Sequence, residues 1–244
     1  MVDLSVDIAG IDFKNPVLPA PGPPVKDGES CLNVLDGGAG GIIAKTISVD
    51  PARVLRPHMS VLDRVHYKSS GMANVELWSE LPFQQWVDKE LPMVLDSADA
   101  PVIASIGYSA EELEYLGPII EDVGVDGIEF STHYLGEGYD PIIESAKSLK
   151  NNVDIPIFPK ISPGVPDPAE LAGELEPYVD GITAINSLGP TLKIDAENKR
   201  PVLGGNGYGW VSGVPIKNLA LRIVYELYLF DEKFYELLLK SENQ

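Results

Sequence analysis

PVIASIGYSAEELEYLGPIIEDVGVDGIEFST, residues 101–132, holds one complete strand–helix–strand unit. An apolar run (101–107) closes on a glycine, Ser109 and Glu112 supply the two halves of a capping box, and Leu113, Leu116, Ile120 and Val123 recur at helical spacing. A second apolar run (126–132) follows and ends in Ser131 and Thr132. Short apolar runs without alternation read as strands covered on both faces, and strands that alternate with helices pair in parallel through right-handed crossovers.

The same rhythm extends in both directions. VLPAPG (17–22), GIIAKT (41–46), PIFPKIS (156–162) and DGITAINS (180–187) read as further buried strands, each ending in small or reactive polar residues. Asp140-Pro141 and Asp167-Pro168 each set a capping carboxylate before a first-turn proline, leading into Ile142, Ile143, Ala146 and Leu149 and into Leu171, Leu175 and Tyr178. The pattern predicts an α/β fold, a single domain over residues 1–244 built as a TIM-type (β/α) barrel. About six of the eight strand–helix units of such a barrel are visible.

Residues 4–16 alternate around Ala9-Gly10, which predicts a two-stranded ribbon within 1–15 that caps the barrel floor. Two long connections, 48–80 and 188–212, are rich in glycine, asparagine and aromatic residues and are expected to roof an active site. Residues 214–240 are helical in pattern, with Ile216, Leu219, Ala220, Ile223, Val224 and Leu227 on one face and Phe230, Phe234, Leu237 and Leu238 continuing the spacing. No strand follows. The expectation is that this helix, a second copy or a companion subunit covers the edge that further strand–helix units would fill.

A formal net charge of -19 repels phosphate backbones and anionic lipid, so neither nucleic acid nor a membrane surface is expected as partner. A small molecule fits better. Cys31, the single cysteine, allows no internal disulfide, and Asp3, Asp7 and Asp12 occupy the place of a basic signal-peptide start, so a cytoplasmic protein is expected. No apolar run approaches the roughly 20 residues that span a bilayer. His58, His66 and His133 lack the spacing of a metal motif, so no metal is expected, and the aromatics Trp78, Phe83 and Trp86 read as packing.

Strand carboxyl ends converge in a barrel, which would gather Lys45, Thr46, Ser131, Thr132, Lys160, Asn186 and Ser187 in one pocket suited to an anionic, redox-active guest. Six segments in order, FKNPVLPAPGP, GAGGIIAKTIS, IEFSTHY, PKISP, AINSLGP and GGNGYGWVSGVPIK, resemble the dihydroorotate dehydrogenase family over about residues 3–226. That family comprises FMN-dependent barrels of pyrimidine synthesis.

The resemblance implies FMN as cofactor and a pyrimidine-like substrate. By it, Ala20, Pro21 and Gly22 would lie against the flavin ring, and Thr46 would hydrogen-bond the cofactor. Lys45 would reach both flavin and substrate, and Lys160 would place its ammonium at the pyrimidine edge of the flavin. Gly209, Ser212 and Gly213 match a glycine-rich turn that contributes to cofactor binding, while Asn74, Asn186 and Ser187 would hold the polar edge of the substrate. Thr132 falls at the position of the catalytic base. Here the chain departs from the family pattern: Glu129-Phe130-Ser131-Thr132-His133-Tyr134 replaces a segment with asparagines on both sides of a Cys or Ser base. A hydroxyl is a weak base without a relay. His133 lies next to it, and the change also admits a different unsaturated ring as substrate. Two other readings stand beside the flavoenzyme: a catalytically impaired scaffold with an open barrel edge, and a Schiff-base lyase armed by Lys160.

Overall fold

In the computed structural model of the chain, residues 2–62, 64–65, 68–69, 71–131 and 138–241 are described, with 64–65, 68–69 and 232–241 as backbone alone. In chain order the elements are β1 (Val6–Ile8), β2 (Ile11–Phe13), α1 (Gly28–Asp36), β3 (Ile42–Ile47), β4 (Met59–Val61), β5 (Arg64–Val65), β6 (Lys68–Ser69) and β7 (Met72–Asn74). There follow α2 (Phe83–Gln85), α3 (Leu91–Ser97), β8 (Val102–Ile106), α4 (Ala110–Val123), β9 (Gly127–Ser131), α5 (Asp140–Lys150), β10 (Ile157–Ile161) and α6 (Pro168–Leu175). The rest are β11 (Thr183–Ala184), β12 (Leu188–Leu192), β13 (Ile194–Asp195), β14 (Arg200–Pro201), β15 (Tyr208–Ser212) and α7 (Lys217–Ser241). They form two compact units, one of Met1–Val54, Glu76–Lys160 and Glu176–Thr183, the other of Leu55–Val75, Ile161–Leu175 and Ala184–Gln244.

The first unit is built on the sheet β11-β10-β9-β8-β3, in which β3, β8, β9 and β10 pair in parallel. Alternation along the strands sorts the side chains onto two faces. Ile42, Ala44, Ala104, Ile106, Ile128 and Phe130 are fully buried, as are Leu113, Leu116 and Ile120 of α4, which packs on β8 and β9. On the other face Ile103 and Phe158 meet Ile11 and Phe13 in one apolar cluster. The ribbon β1–β2 thus packs against the amino-terminal end of the sheet. Its two-residue turn has positive φ at both Ala9 (54°) and Gly10 (80°), the geometry that matches strand twist in tight hairpins.

The strand expected at 17–22 does not form. Pro16, Pro19 and Pro21 cannot donate to a ladder, and the segment runs as irregular chain with Val17 exposed. Two helix starts follow the sequence reading: the Ser109 hydroxyl accepts from Glu112 N–H (3.2 Å), and Asp167 accepts from the N–H groups of Ala169 and Glu170, both at 3.0 Å. Asp140 differs. It is the first residue of α5, with Tyr139 at the cap position and no side-chain capping bond.

Glu112 does more than close a capping box. Its carboxylate accepts from Ser48 Oγ (2.5 Å), Val49 N–H (2.9 Å) and Tyr108 N–H (2.9 Å), tying the loop after β3 to the loop after β8. Trp86, fully buried, donates to Ser79 Oγ (2.8 Å), and Trp78 donates to the Asp50 carbonyl (2.6 Å) while its ring meets Tyr108 edge-on at 5.4 Å. These aromatics are packing residues, as their sequence context implied.

In the second unit the two long connections become ordered sheet. Segments from 48–80 and 188–212 combine as β12-β15-β7-β4, with β15 antiparallel to both β12 and β7. Gly209 lets strands approach closely, since a Cβ there would lie 2.4 Å from the Asn74 carbonyl oxygen. α7 packs on α6, where Gly173 leaves room for the Phe230 ring. Ile223 is fully buried, but Val224 is 48% exposed. Val224 lies about 100° further round the helix than Ile223 and falls off the packed stripe. The side chains of Phe234, Leu237 and Leu238 lie outside the described residues.

Replacing Glu112 by alanine strands three donors, so Glu112→Ala is expected to cost ~2–3 kcal/mol of unfolding free energy, against ~1 kcal/mol for Ser109→Ala. Urea unfolding measures both. Equal losses would show that the ties to Ser48, Val49 and Tyr108 carry no weight.

Candidate active site

The sheet face that bears Ile103 and Phe158 at its apolar end carries Ser105, Glu129 and Lys160 about one layer nearer the carboxyl ends of the strands. Register brings them side by side, with Ser105 opposite Glu129 and Ser131 opposite Lys160. Thr46 Oγ1 lies 3.0 Å from Ser105 Oγ, and Ser105 Oγ donates to Glu129 Oε1 at 3.2 Å. Lys160 Nζ faces the same oxygen at 3.7 Å. Lys45 Nζ, on β3, donates to Glu76 Oε2 at 2.8 Å. Polar side chains from β3, β8, β9 and β10 therefore form one layer.

Burial makes this layer consequential. Glu129 and Ser105 are 0% exposed, Lys45 and Ser131 are 5%, Thr46 is 7% and Lys160 is 9%. Buried charges are tolerated when paired and hydrogen-bonded. Each lysine here has a carboxylate neighbour. Glu129 Oε2 is the exception, a buried oxygen without a hydrogen-bond partner among the described residues. Burial pushes the Glu129 carboxyl above the ordinary carboxylate range, although Lys160, then Thr183 and Ser105, pull it back.

Of the residues singled out in the sequence, Lys45, Thr46 and Lys160 stand in the first unit with Ser131. Ala20 is exposed and Gly22 is extended, at the start of a single 3₁₀ turn. A Cβ on Gly22 would meet nothing closer than 3.7 Å, so no contact within the protein demands a glycine there. In the second unit Asn74 donates to the Trp210 carbonyl at 3.4 Å, across the β7–β15 pair that also holds Gly209 and Ser212. Gly213 has φ +86° and needs to be glycine on backbone grounds. Asn186 and Ser187 follow β11, where Asn186 N–H bonds the Ile161 carbonyl (2.9 Å) and Asn186 Oδ1 accepts from Ser187 N–H (2.8 Å). Thr132 and His133, the expected base position and its neighbour, lie outside the described residues.

Sequence reasoning passed over Ser105 and Glu76 and noted Glu129 only as a departure. Ser105 carried a signal, since it breaks the apolar run VIASI at a strand end. Glu76 carried none that spacing reveals. Cys31 is no nucleophile: burial, reinforced by Asp27 and Glu90, pushes its thiol up to about 12. An open cleft of about 730 Å³ at the opposite, amino-terminal end of the strands is lined by Asp12, Asp99 and Asp126 and has no cation among its lining residues.

A parallel-sheet α/β protein with buried, carboxylate-paired lysines at its strand ends is the class that fold and site define. The sequence model of the dihydroorotate dehydrogenase family matches residues 3–233, and the chain belongs to that family of oxidoreductases. It is 32% identical over 237 residues to the dihydroorotate dehydrogenase B (NAD(+)) catalytic subunit of Methanothermobacter thermautotrophicus, covering 92% of this chain and 75% of the relative. Proteins of the same name from Thermoplasma acidophilum and Methanocaldococcus jannaschii are 29% and 30% identical, over 93% and 92% of this chain and 76% and 75% of theirs. The chain thus spans about three-quarters of the length of these relatives.

A carboxyl whose folded-state pKa is raised is stabilising as the neutral acid and costly as the anion. Relative to Glu129→Gln, the wild-type chain should therefore hold its stability below the unfolded carboxyl value of about 4.3 and lose it as pH rises through the raised folded value. Thermal unfolding of both proteins from pH 4 to pH 9 tests this. A difference that grows in favour of wild type with rising pH would reverse the sign.

Proposed function

We propose that this chain is an FMN-dependent oxidoreductase that oxidises dihydroorotate or a closely related dihydropyrimidine. The observation that carries the reading is the buried layer of Lys45, Thr46, Ser105, Glu129 and Lys160 at the carboxyl ends of parallel strands, in a member of this family. In an α/β barrel those ends line the ligand mouth, and the (β/α) barrel is the architecture proposed for the full fold.

The donor set fits a flavin. Two ammonium groups and several hydroxyls suit a planar ring that gains negative charge, the open side of Gly22 leaves space against an aromatic face, and the unpartnered Glu129 oxygen suits a ring edge. FMN, when bound, supplies the acceptor for the hydride that leaves the substrate carbon. The chain supplies the surroundings. Lys160 and Lys45 would provide positive potential beside the ring, Thr46 and Ser105 would fix the orientation of the layer, and Ala20, Pro21, Gly22, Gly209, Ser212 and Gly213 would form cofactor contacts. Asn74, Asn186 and Ser187 would hold the polar edge of the substrate, because an amide donates and accepts at neighbouring atoms. Thr132 would take the substrate proton, passing it to a neighbouring group or to water.

The relatives named as catalytic subunits support a further element of the reading, a companion subunit along the open barrel edge. Among the described residues no helix is long and apolar enough to cross a membrane.

Anaerobic addition of dihydroorotate to the FMN-loaded protein should bleach the visible flavin band, and Lys160→Met should slow bleaching by about 100-fold or more, the scale of a lost charge-stabilising donor. Stopped-flow absorbance reads both. A flavin band that survives dihydroorotate and the common dihydropyrimidines would remove the proposal.

A further inference from the structure

Strand β3 is irregular at the point where it carries Lys45. Its register against β8 pairs Ala44 with Ala104 and then Ile47 with Ile106, so that Lys45 and Thr46 together stand opposite Ser105. Two residues facing one make a β-bulge. Neighbours on a regular strand point to opposite faces, whereas a bulge re-aims a side chain, and here it brings both Lys45 and Thr46 to the polar layer.

The chain that follows β7 is fastened to this bulged strand end. Ser79 N–H bonds the Thr46 carbonyl at 2.8 Å, Ala52 N–H bonds the Ser79 carbonyl at 2.7 Å, and the Trp78 indole donates to the Asp50 carbonyl at 2.6 Å. From the start of that segment Glu76 Oε2 accepts from Lys45 Nζ at 2.8 Å, with both side chains largely buried.

We propose that Glu76 is a positioning residue: acting through Lys45, it holds that ammonium at the place the reaction in this layer requires. The inference rests on the oxidoreductase reading and deepens it by naming a residue that serves the reaction without touching substrate or cofactor.

The direction of the dependence follows from the bonds. Main-chain and indole contacts that need no ammonium already anchor the segment to β3, so the ion pair is not what holds it there. Lysine is the mobile partner, a point charge on a flexible four-carbon stem that takes many positions unless one is enforced. Stability does not account for the pair either, because a buried ion pair contributes little compared with apolar side chains of the same volume. What the pair achieves is a fixed positive centre, and a misplacement of 1 Å at a reacting site can cost about 100-fold in rate.

Placement and charge are separable. Glutamine keeps the reach of Glu76 and an oxygen for the ammonium but loses the charge; aspartate keeps the charge and stops one methylene short. In the full-length, FMN-loaded protein, the limiting rate of flavin bleaching by dihydroorotate should fall about tenfold or more in Glu76→Ala and Glu76→Asp, and Glu76→Gln should stay within about threefold of wild type. On a Lys45→Met background Glu76→Ala should cost nothing further, since a residue that acts through another has no effect once that other is gone. Thermal unfolding checks that each variant folds, and Glu76→Asp carries the comparison should Glu76→Ala not fold.

A second readout needs no flavin. Trace acetic anhydride labelling of the FMN-free protein, read by peptide mass spectrometry against the exposed Lys26 as internal reference, should modify Lys45 at least about fivefold faster in Glu76→Ala than in wild type, because a held and shielded ammonium reacts slowly. Losses that add in the double variant, a wild-type rate in Glu76→Asp beside an impaired Glu76→Gln, or equal labelling of Lys45 in wild type and Glu76→Ala overturns the inference. Flavin that never bleaches in the wild type removes the oxidoreductase reading; faster labelling in Glu76→Ala would then still assign Glu76 as the group that fixes Lys45.

Discussion

Charge held out of water is the constraint on which this molecule turns. Lys45, Lys160 and Glu129 are nearly inaccessible, and a lone ion in such a place would cost far more than a domain's net stability. The chain resolves this with close pairings. Glu76 meets Lys45 at 2.8 Å, Glu129 faces Lys160 at 3.7 Å, and Ser105 and Thr46 complete the hydrogen-bonded row. Such a layer contributes little to stability compared with apolar side chains of the same volume. Under the proposed function, the layer would instead hold a developing negative charge without waiting for solvent to reorganise.

The rest of the first unit serves that layer. Strand alternation sends isoleucine, alanine and phenylalanine toward the helices and leaves the opposite face free to change character along its length. Phe13, Ile11, Ile103 and Phe158 seal its amino-terminal end, and the polar row lies beyond them. Glu112 fastens the loops leaving β3 and β8, the strands that bear Thr46 and Ser105. Apolar floor, polar row and tied loops are successive levels of one arrangement.

Much of this was legible in the chain. The unit at 101–132 announced strand, capped helix and strand because its apolar spacing, capping residues and strand-end polar residues agree. The turn at Ala9-Gly10 was equally plain. Failure came where local chemistry overrode pattern. VLPAPG has the composition of a strand end, but its prolines remove the donors a ladder needs. The connections 48–80 and 188–212 pair with each other across more than a hundred residues, and no short-range period reports that partnership. In the site, the lysines were readable from their places after apolar runs. Glu76 was not, because an ion pair between a strand and a distant loop leaves no spacing in the sequence. Glu129 was visible as a departure, but its meaning depends on burial and on the geometry of its two oxygens.

The most direct measurement of the central claim is a crystal structure of the chain soaked with FMN. The account predicts a flavin ring with its pyrimidine edge within hydrogen-bond distance of Lys160 and the Glu129 carboxyl, and with Thr46 at its border. A ring bound elsewhere, or a polar layer in which Lys45, Lys160 and Glu129 close on one another and leave no face for a guest, would contradict it.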